Sequence, residues 1–384
     1  MIRLGKQEEI DAYFERSGAS QSFLKALCKS VAYTKRDEKT MYYEEKGHLI
    51  VGSAVDDKIS MGDDAFAEKY FSSEKEKPSE AMMSIVQMAF DASCFNDEAP
   101  DSTIHSYGIY VLEALDYHKY QTRWKEETRI NKVYELGFEY FEELKEAHGK
   151  QILSVEQNKV VGNIEMSWRT HPYTSRYFVS ATQYIFFQVP VYFEFYGVNC
   201  KALLDMVIYD GGSNTLQPID FKTMSENSIM FPKSVTRFGY NFQGAFYREA
   251  LRQTILSPDT TETIPELSAI INKETAILPF KFMVETTEVK TNKLTDDSQF
   301  MQGSPLMYTL SDEQIDIGKY GRPELVVPTH YRAKDSEDAT RPLPPIRFKE
   351  ILGFKQAIEL YIWHSNNGWE IDKKVVEAEG DILI

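Results

Sequence analysis

Two short apolar runs, Leu203–Tyr209 and Leu216–Thr223, are joined by DGGSN at Asp210–Asn214, and this stretch constrains the fold more than any other part of the chain. A Gly-Gly turn between runs of β-branched and aromatic residues is a hairpin signal. Each run carries a carboxylate in a segment that otherwise favours burial: Asp205 stands between Ala202–Leu204 and Met206–Tyr209, and Asp220 stands within IDFKT. A buried, unpaired carboxylate is expensive, so both need partners. Fifteen residues separate Asp205 from Asp220, which lets the two meet across an antiparallel pair. Period-two alternation places Asp220 and Lys222 on one face and Phe221 on the opposite, packed face.

The triplet Asp220-Phe221-Lys222 is weak evidence taken alone. Asp37/Lys39, Glu44/Lys46, Asp56/Lys58, Glu143/Lys145, Glu288/Lys290 and Asp372/Lys374 have the same spacing. Its place on a strand beside a second carboxylate is what separates this copy from the others. A divalent cation would offset the repulsion between Asp205 and Asp220. Hard oxygen ligands with open positions suit Mg²⁺ or Mn²⁺, which keep several waters and accept one or two carboxylates plus a phosphate oxygen. Phosphodiester hydrolysis is the natural reaction, with the Lys222 ammonium orienting the nucleophile or stabilising charge on phosphorus. An ordinary cross-strand ion pair between Asp205 and Lys222 is the competing reading of the strand pair alone.

Downstream, FGYNFQGAFYRE at Phe238–Glu249 places Gln243 and Tyr247 four apart, on one helix face. Asp, then Asp-x-Lys on the next strand, then Gln-x-x-x-Tyr on the following helix resembles the RecB-like nucleases of the PD-(D/E)XK superfamily. CKALLDMVIYD (Cys200–Asp210), IDFKTM (Ile219–Met224) and YNFQGAFYREAL (Tyr240–Leu251) look most like the RecE-type exonucleases of phages and prophages. The likeness is firm over Gln188–Leu251 and looser over Ser20–Tyr70 and Phe280–Gly318. SQSFLKAL at Ser20–Leu27 is similar to the Ser-x-Ser-x-Leu start of such nucleases.

The resemblance implies an α/β (α+β) fold of PD-(D/E)XK type, a central mixed β-sheet flanked by helices, with helical N-terminal and C-terminal additions. It implies a DNA exonuclease whose catalytic residues are Asp205, Asp220, Lys222, Gln243 and Tyr247. A metal would be held by Asp205, Asp220 and the Phe221 backbone carbonyl. Relatives carry Gly-x-x-x-His near the start of an early helix; here the matching run is Gly52-Ser53-Ala54-Val55-Asp56, so Asp56 replaces the histidine as a further ligand. Read locally, Asp56 and Asp57 are equally a solvated helix start favoured by the macrodipole. Gln243 and Tyr247 would lie beside the active site, their plain alternative being packing beneath Phe242 and Phe246. The resemblance also implies DNA as substrate, a ring-like homo-oligomer, and an annealing protein or recombinase as partner.

Charge bears on how DNA could be held. The chain has 43 Lys and Arg against 59 Asp and Glu, a formal charge of −16, which argues against wrapping nucleic acid over the whole surface. Lys201, Lys233, Arg237, Arg248 and Arg252 nevertheless cluster around the motifs and are candidates for a local phosphate-tracking groove. Cys28, Cys94 and Cys200 show no paired spacing, the polar, acidic start at Met1–Arg16 is unlike a signal peptide, and no apolar run approaches the ~20 residues of a membrane span. A reduced cytoplasmic setting without membrane contact is expected. Three cysteines are too few for the four-cysteine iron–sulfur cluster of a related nuclease class. A PD-(D/E)XK endonuclease and a non-catalytic DNA-binding subunit remain as rival readings.

Residues 384 in number, 42% of them hydrophobic, supply a sizeable core. Patterning predicts a mainly helical region over 1–150 contributing an active-site helix near 52–60, a nuclease core over 151–290, and an α/β extension over 291–384. Within these, Gln7–Ser30 is helical, with Phe23, Leu24 and Leu27 turned inward. His48–Phe71 runs from a short apolar stretch into a helix with Asp56 and Asp57 in its first turns, and Ser79–Phe90 is helical. Tyr107–His148 reads as two packed helices, Tyr184–Val198 as a strand-rich aromatic run, Arg237–Thr254 as a helix and Ala276–Glu285 as a strand despite Pro279. Leu306–Gly318 reads as strand and helix, Asp335–Pro345 as a loop and Ile346–His364 as an amphipathic helix.

Overall fold

The hairpin forms, and it lies in the middle of a mixed sheet. In the computed structural model, which describes residues 1–35, 47–75, 77–95, 108–179, 183–287, 305–326 and 347–377, five strands lie side by side. They are β1 (Gln183–Phe195), β2 (Val198–Asp210), β3 (Thr215–Met224), β4 (Lys281–Thr286) and β5 (Leu306–Thr309). The β3–β4 pair is parallel and the other three are antiparallel. Ile2–Arg3 adds a short parallel segment outside β1.

The run expected as one aromatic stretch, Tyr184–Val198, is divided. Tyr196 and Gly197 both have positive φ, 52° and 76°, so the chain reverses there and β2 begins at Val198. Two consecutive left-handed residues match the twist of an antiparallel hairpin; a tyrosine in the first position gave no turn signal. The stretch Ala276–Glu285 is also divided. Ala276–Ile277 pairs with the start of β3, and pairing resumes at Lys281 beyond Pro279, which has no N–H for the ladder.

Helices cover both faces of the sheet. We label α1 (Gln21–Lys29), α2 (Gly47–Met61), α3 (Val155–Thr170), α4 (Phe231–Arg237), α5 (Tyr240–Leu256), α6 (Asp312–Tyr320) and α7 (Phe354–Asn367). On one face Leu24 of α1, Phe242, Phe246 and Leu251 of α5, and Phe354 and Ile358 of α7 pack on Phe193, Leu204 and Phe282. On the other, Val51, Val55 and Ile59 of α2 and Ile164 and Trp168 of α3 pack on Phe187, Met206 and Phe221. The helices Glu80–Phe95, Gly108–Tyr117 and Glu126–Ala147 form a third apolar cluster of their own; the last two are the pair expected within Tyr107–His148. No described helix is long and apolar enough to cross a membrane.

Three helical expectations are corrected. The apolar run before Asp56 is itself helical, so α2 starts at Gly47 and Asp56 and Asp57 fall in its later turns, where the macrodipole opposes a carboxylate. The helix expected over Arg237–Thr254 is α5, which starts three residues later at Tyr240, after Gly239 at φ 65°; Arg237 is instead the last residue of α4. The helix expected from Ile346 begins only at Phe354: Arg347–Ile351 is a strand paired with Arg322–Val326, and the Gln356 side chain accepts from the Gly353 N–H at 2.8 Å. The loop Asp335–Pro345 lies outside the described residues.

The first hairpin has an irregularity at mid-length. Phe187 pairs with Met206 and Val189 with Leu204, but Gln188 and Asp205, which face each other between them, are not a bridged pair. Gln188 has φ 48°. On β1, Phe187 packs on the α2–α3 side and Val189 on the α5 side; on β2, Met206 and Leu204 divide in the same way. Both strands therefore slip phase at the same level, and the two residues at the slip are withdrawn from the regular alternation of a pleated strand.

Candidate active site

Asp205 stands at that slip, one step beyond the last bridged pair of β2 and β3, Met206 with Ile219. The register continues to Asp205 opposite Asp220, the juxtaposition expected from the fifteen-residue spacing. Released from the ladder, the Asp205 carboxylate turns toward β3, where its Oδ2 accepts the Phe221 backbone N–H at 2.8 Å. The N–H and C=O of one residue leave an extended strand by the same edge, so the Phe221 carbonyl is on the Asp205 side as well.

The alternation of β3 works as read from sequence. Phe221 stacks on Trp168 with ring centroids 5.1 Å apart, within the α2–α3 layer. Asp220 and Lys222 project to the other side. Asp220 is 1% exposed and uses both oxygens: Oδ1 accepts from Gln243 Nε2 at 2.6 Å, and Oδ2 pairs with the Lys222 ammonium. Gln243 also hydrogen bonds with the Tyr247 hydroxyl one helical turn on, which makes a chain Tyr247–Gln243–Asp220 from α5 into the sheet. Gln243 and Tyr247 thus do more than pad the core, although Phe242 and Phe246 beside them are core residues.

The charges explain one another. Burial, then the neighbouring Asp220 and Asp56, push the Asp205 carboxyl well above the usual carboxylate range, against the pull of Lys222 and the Phe221 N–H. Burial alone would lower the Lys222 pKa, but Asp220 and Asp205 outweigh it and hold the ammonium above its ordinary range. Lys222 keeps 20% of its side-chain surface open and lies 5.2 Å from the centre of the Tyr240 ring. Burial, with help from Asp220 and Asp205, also raises Tyr247, so its hydroxyl stays neutral.

Asp56 approaches from the opposite layer. Gly52 lets α2 come close to the strand: a Cβ there would meet Thr223 Oγ1 at 2.9 Å. Asp56 accepts from Ser60 Oγ and from Gln188 Nε2, both at 2.9 Å, and burial, followed by Asp57, raises its pKa to about 7. It affects Asp205 and Asp220 through space, yet among the described residues no three His, Cys, Asp or Glu side chains form one metal-sized group. The ligands that fit a cation here are two carboxylates, Asp205 and Asp220, with the Phe221 carbonyl, a hard-oxygen set of the kind that Mg²⁺ accepts with waters completing its shell.

A cleft of about 1340 Å³ opens beside Lys222. Lys233 and Arg237 line it as expected, joined by Lys25 and Lys29, which sequence reasoning missed; Glu226 is the one acidic residue among its described lining. The other three proposed cations lie elsewhere. Lys201 Nζ is fixed on the carbonyls of Tyr13, Phe14 and Arg16 at the end of the Gln7–Glu15 helix. Arg252 pairs with Glu249 at 3.2 Å and Arg248 approaches Asp312 at 4.0 Å. Sequence proximity to the motifs could not separate these cations from those that face the cleft.

Glu285 on β4 was also missed. It is fully buried, opposite Thr223, and accepts from Ser167 Oγ and the Thr286 N–H, both at 3.0 Å. Burial raises its pKa from 4.5 to about 7, against both hydrogen bonds. Between those values the folded protein holds a proton on Glu285 that the unfolded chain has released, so the contribution of Glu285 to stability is full below pH 4.5 and is lost as pH rises to about 7. Glu285→Gln can accept from Thr286 and donate to Ser167. It should flatten this slope and raise stability at pH 8 by up to about 3 kcal/mol, read from urea unfolding at pH 5 and pH 8; an unchanged slope would show that Glu285 is already ionised in the fold. No protein-family model matches the chain, and no curated protein matches it.

Proposed function

We propose that this chain is a Mg²⁺- or Mn²⁺-dependent nuclease of the PD-(D/E)XK type that hydrolyses phosphodiester bonds of linear DNA. The observation that carries the reading is the meeting of Asp205 and Asp220 on adjacent strands, with Lys222 and Gln243 on Asp220 and the Phe221 backbone on Asp205. Two carboxylates facing each other across adjacent strands, one of them 1% exposed, call for a cation, and the lysine beside them faces a cationic cleft in an acidic protein.

Asp205, Asp220 and the Phe221 carbonyl would hold the metal, which when bound polarises a phosphate and acidifies water. The remaining work falls to the chain. Lys222 carries its positive charge at neutral pH and places it where negative charge grows on phosphorus. Gln243 fixes the Asp220 carboxylate, and Tyr247, neutral, steadies Gln243. Lys29, Lys233 and Arg237 offer charge to the DNA backbone along the cleft. Exonuclease action is favoured over endonuclease action by the likeness of the Cys200–Leu251 motifs to RecE-type enzymes, from which a homo-oligomer and a recombination partner also follow.

End-labelled linear duplex and closed circular duplex, each incubated with the purified protein, test this. Digestion of the linear form with Mg²⁺ or Mn²⁺, and none in excess EDTA, is expected. Cutting of the circle would make it an endonuclease, and intact linear and circular DNA with either metal would remove the nuclease reading.

A further inference from the structure

The cleft contains a second group of anion-seeking atoms that the catalytic arrangement does not use. At its wall α5 begins. The helix has 17 residues, and its first position is preceded by Gly239, which has no side chain to cap it. The N–H groups of Tyr240, Asn241 and Phe242 have no acceptor within the helix, so its positive end is open. Asn241 lines the cleft and is 2% exposed, and among the described residues its Nδ2 has no hydrogen-bond partner. A buried amide donor left unmatched is unfavourable unless a ligand supplies the acceptor.

Lys25 adds the charge. Its ammonium donates to the Phe238 carbonyl at 2.7 Å and lies against Gly239, where an added Cβ would be 3.8 Å from Nζ. One carbonyl satisfies one of its three donors. Its charged neighbours are Lys222 and Lys29, and the carboxylate that reaches it, Asp220, is already matched to Lys222 and Gln243. Burial, then these two cations, lower its pKa to about 8. A partly buried ammonium, an orphan amide and an uncapped helix start converge on one wall, and a phosphate oxygen answers all three.

We propose that Lys25, Asn241 and the first turn of α5 form a phosphate subsite, which holds a phosphodiester flanking the one cut beside Asp205 and Asp220. The assignment of this phosphate to a DNA strand rests on the nuclease reading, whereas the anion site itself rests on the three groups above. The subsite gives the cleft a direction: the strand passes Lys222 and is gripped at the start of α5, so the scissile phosphate is set by a neighbour held a fixed distance away. Positioning of this kind converts binding into orientation at the reacting centre.

Fluorescence anisotropy of fluorescein-labelled tetrathymidylate without a terminal phosphate, in EDTA so that nothing is cut, reads the subsite separately from catalysis. Lys25→Met should weaken binding about tenfold and lower the slope of log affinity against log salt by about 0.7, the value of one phosphate contact to a single strand. Asn241→Asp, which replaces a donor with a negative charge, should weaken it at least as much. Lys25→Met carries the test if the buried aspartate prevents folding. Absence of binding by the wild-type protein, or wild-type affinity and salt slope in the variants, would overturn the subsite. Weakened binding by the variants in a protein that cuts no DNA would retain the subsite and discard the nuclease.

Discussion

Replacing Lys222 with Ala should reduce Mg²⁺-dependent hydrolysis of linear DNA by about 10³-fold, the scale of losing one pre-set charge at a reacting phosphate, while the protein stays folded. The fold should persist because Lys222 sits at the border of the cleft with 20% of its side chain open, whereas β3 is anchored by Leu216 on one face and by Ile219 and Phe221 on the other. Without the ammonium, Asp220 and Asp205 face each other with less compensation, so the pair attracts a cation more strongly. Calorimetric titration with Mg²⁺ should therefore show affinity kept or increased in Lys222→Ala and lost in Asp205→Ala, although hydrolysis should fall in both. This separation distinguishes a catalytic lysine from a merely structural ion pair. Wild-type digestion by Lys222→Ala would end the assignment.

Phe221→Ala should destabilise the protein by about 3–5 kcal/mol, the range for truncating a buried aromatic whose site cannot collapse. Phe221 touches Trp168 at 5.1 Å, Phe187 at 6.4 Å and Phe178 at 6.5 Å between ring centroids, so its removal opens a void lined by three rigid rings. The backbone N–H of the same residue holds Asp205 in place. A loosened β3 should thus lower hydrolysis even at temperatures where the variant remains folded. Guanidinium unfolding measures the first effect; a loss under about 1 kcal/mol would mean that the layer beneath the site is held by α2 and α3 without this stack.

How much of this was legible before the structure depends on the range of the interaction. The β2–β3 register followed from local rules, because DGGSN closes the turn and alternation then places Asp220, Phe221 and Lys222. Gln243 and Tyr247 were legible for the same reason, one helical turn apart. The turn at Tyr196-Gly197 was hidden because strand-forming residues continue through it, and the start of α2 was hidden because HLIV reads equally as a strand. Lys25, Gln188 and Asn241 had no signal at all. Each acquires its role from a partner far away in the chain: Lys25 from Phe238, Gln188 from Asp56, and Asn241 from the cleft it lines. The cations illustrate the reverse error, since Lys201 lies next to the motif in sequence and was drawn to the carbonyls of Tyr13, Phe14 and Arg16.

The matched slip at Gln188 and Asp205 has a consequence for how such a sheet can change. Deleting either residue alone would put one strand out of step with its neighbour and turn its apolar half toward the wrong layer. Removing both together would join Phe187 to Val189 and Met206 to Leu204 in unbroken alternation, leaving a hairpin more regular than the natural one. The smoother sheet would have no carboxylate opposite Asp220 and no amide reaching Asp56. The irregularity therefore works only as a pair, and a chain without it would keep the architecture while losing the juxtaposition of Asp205 and Asp220.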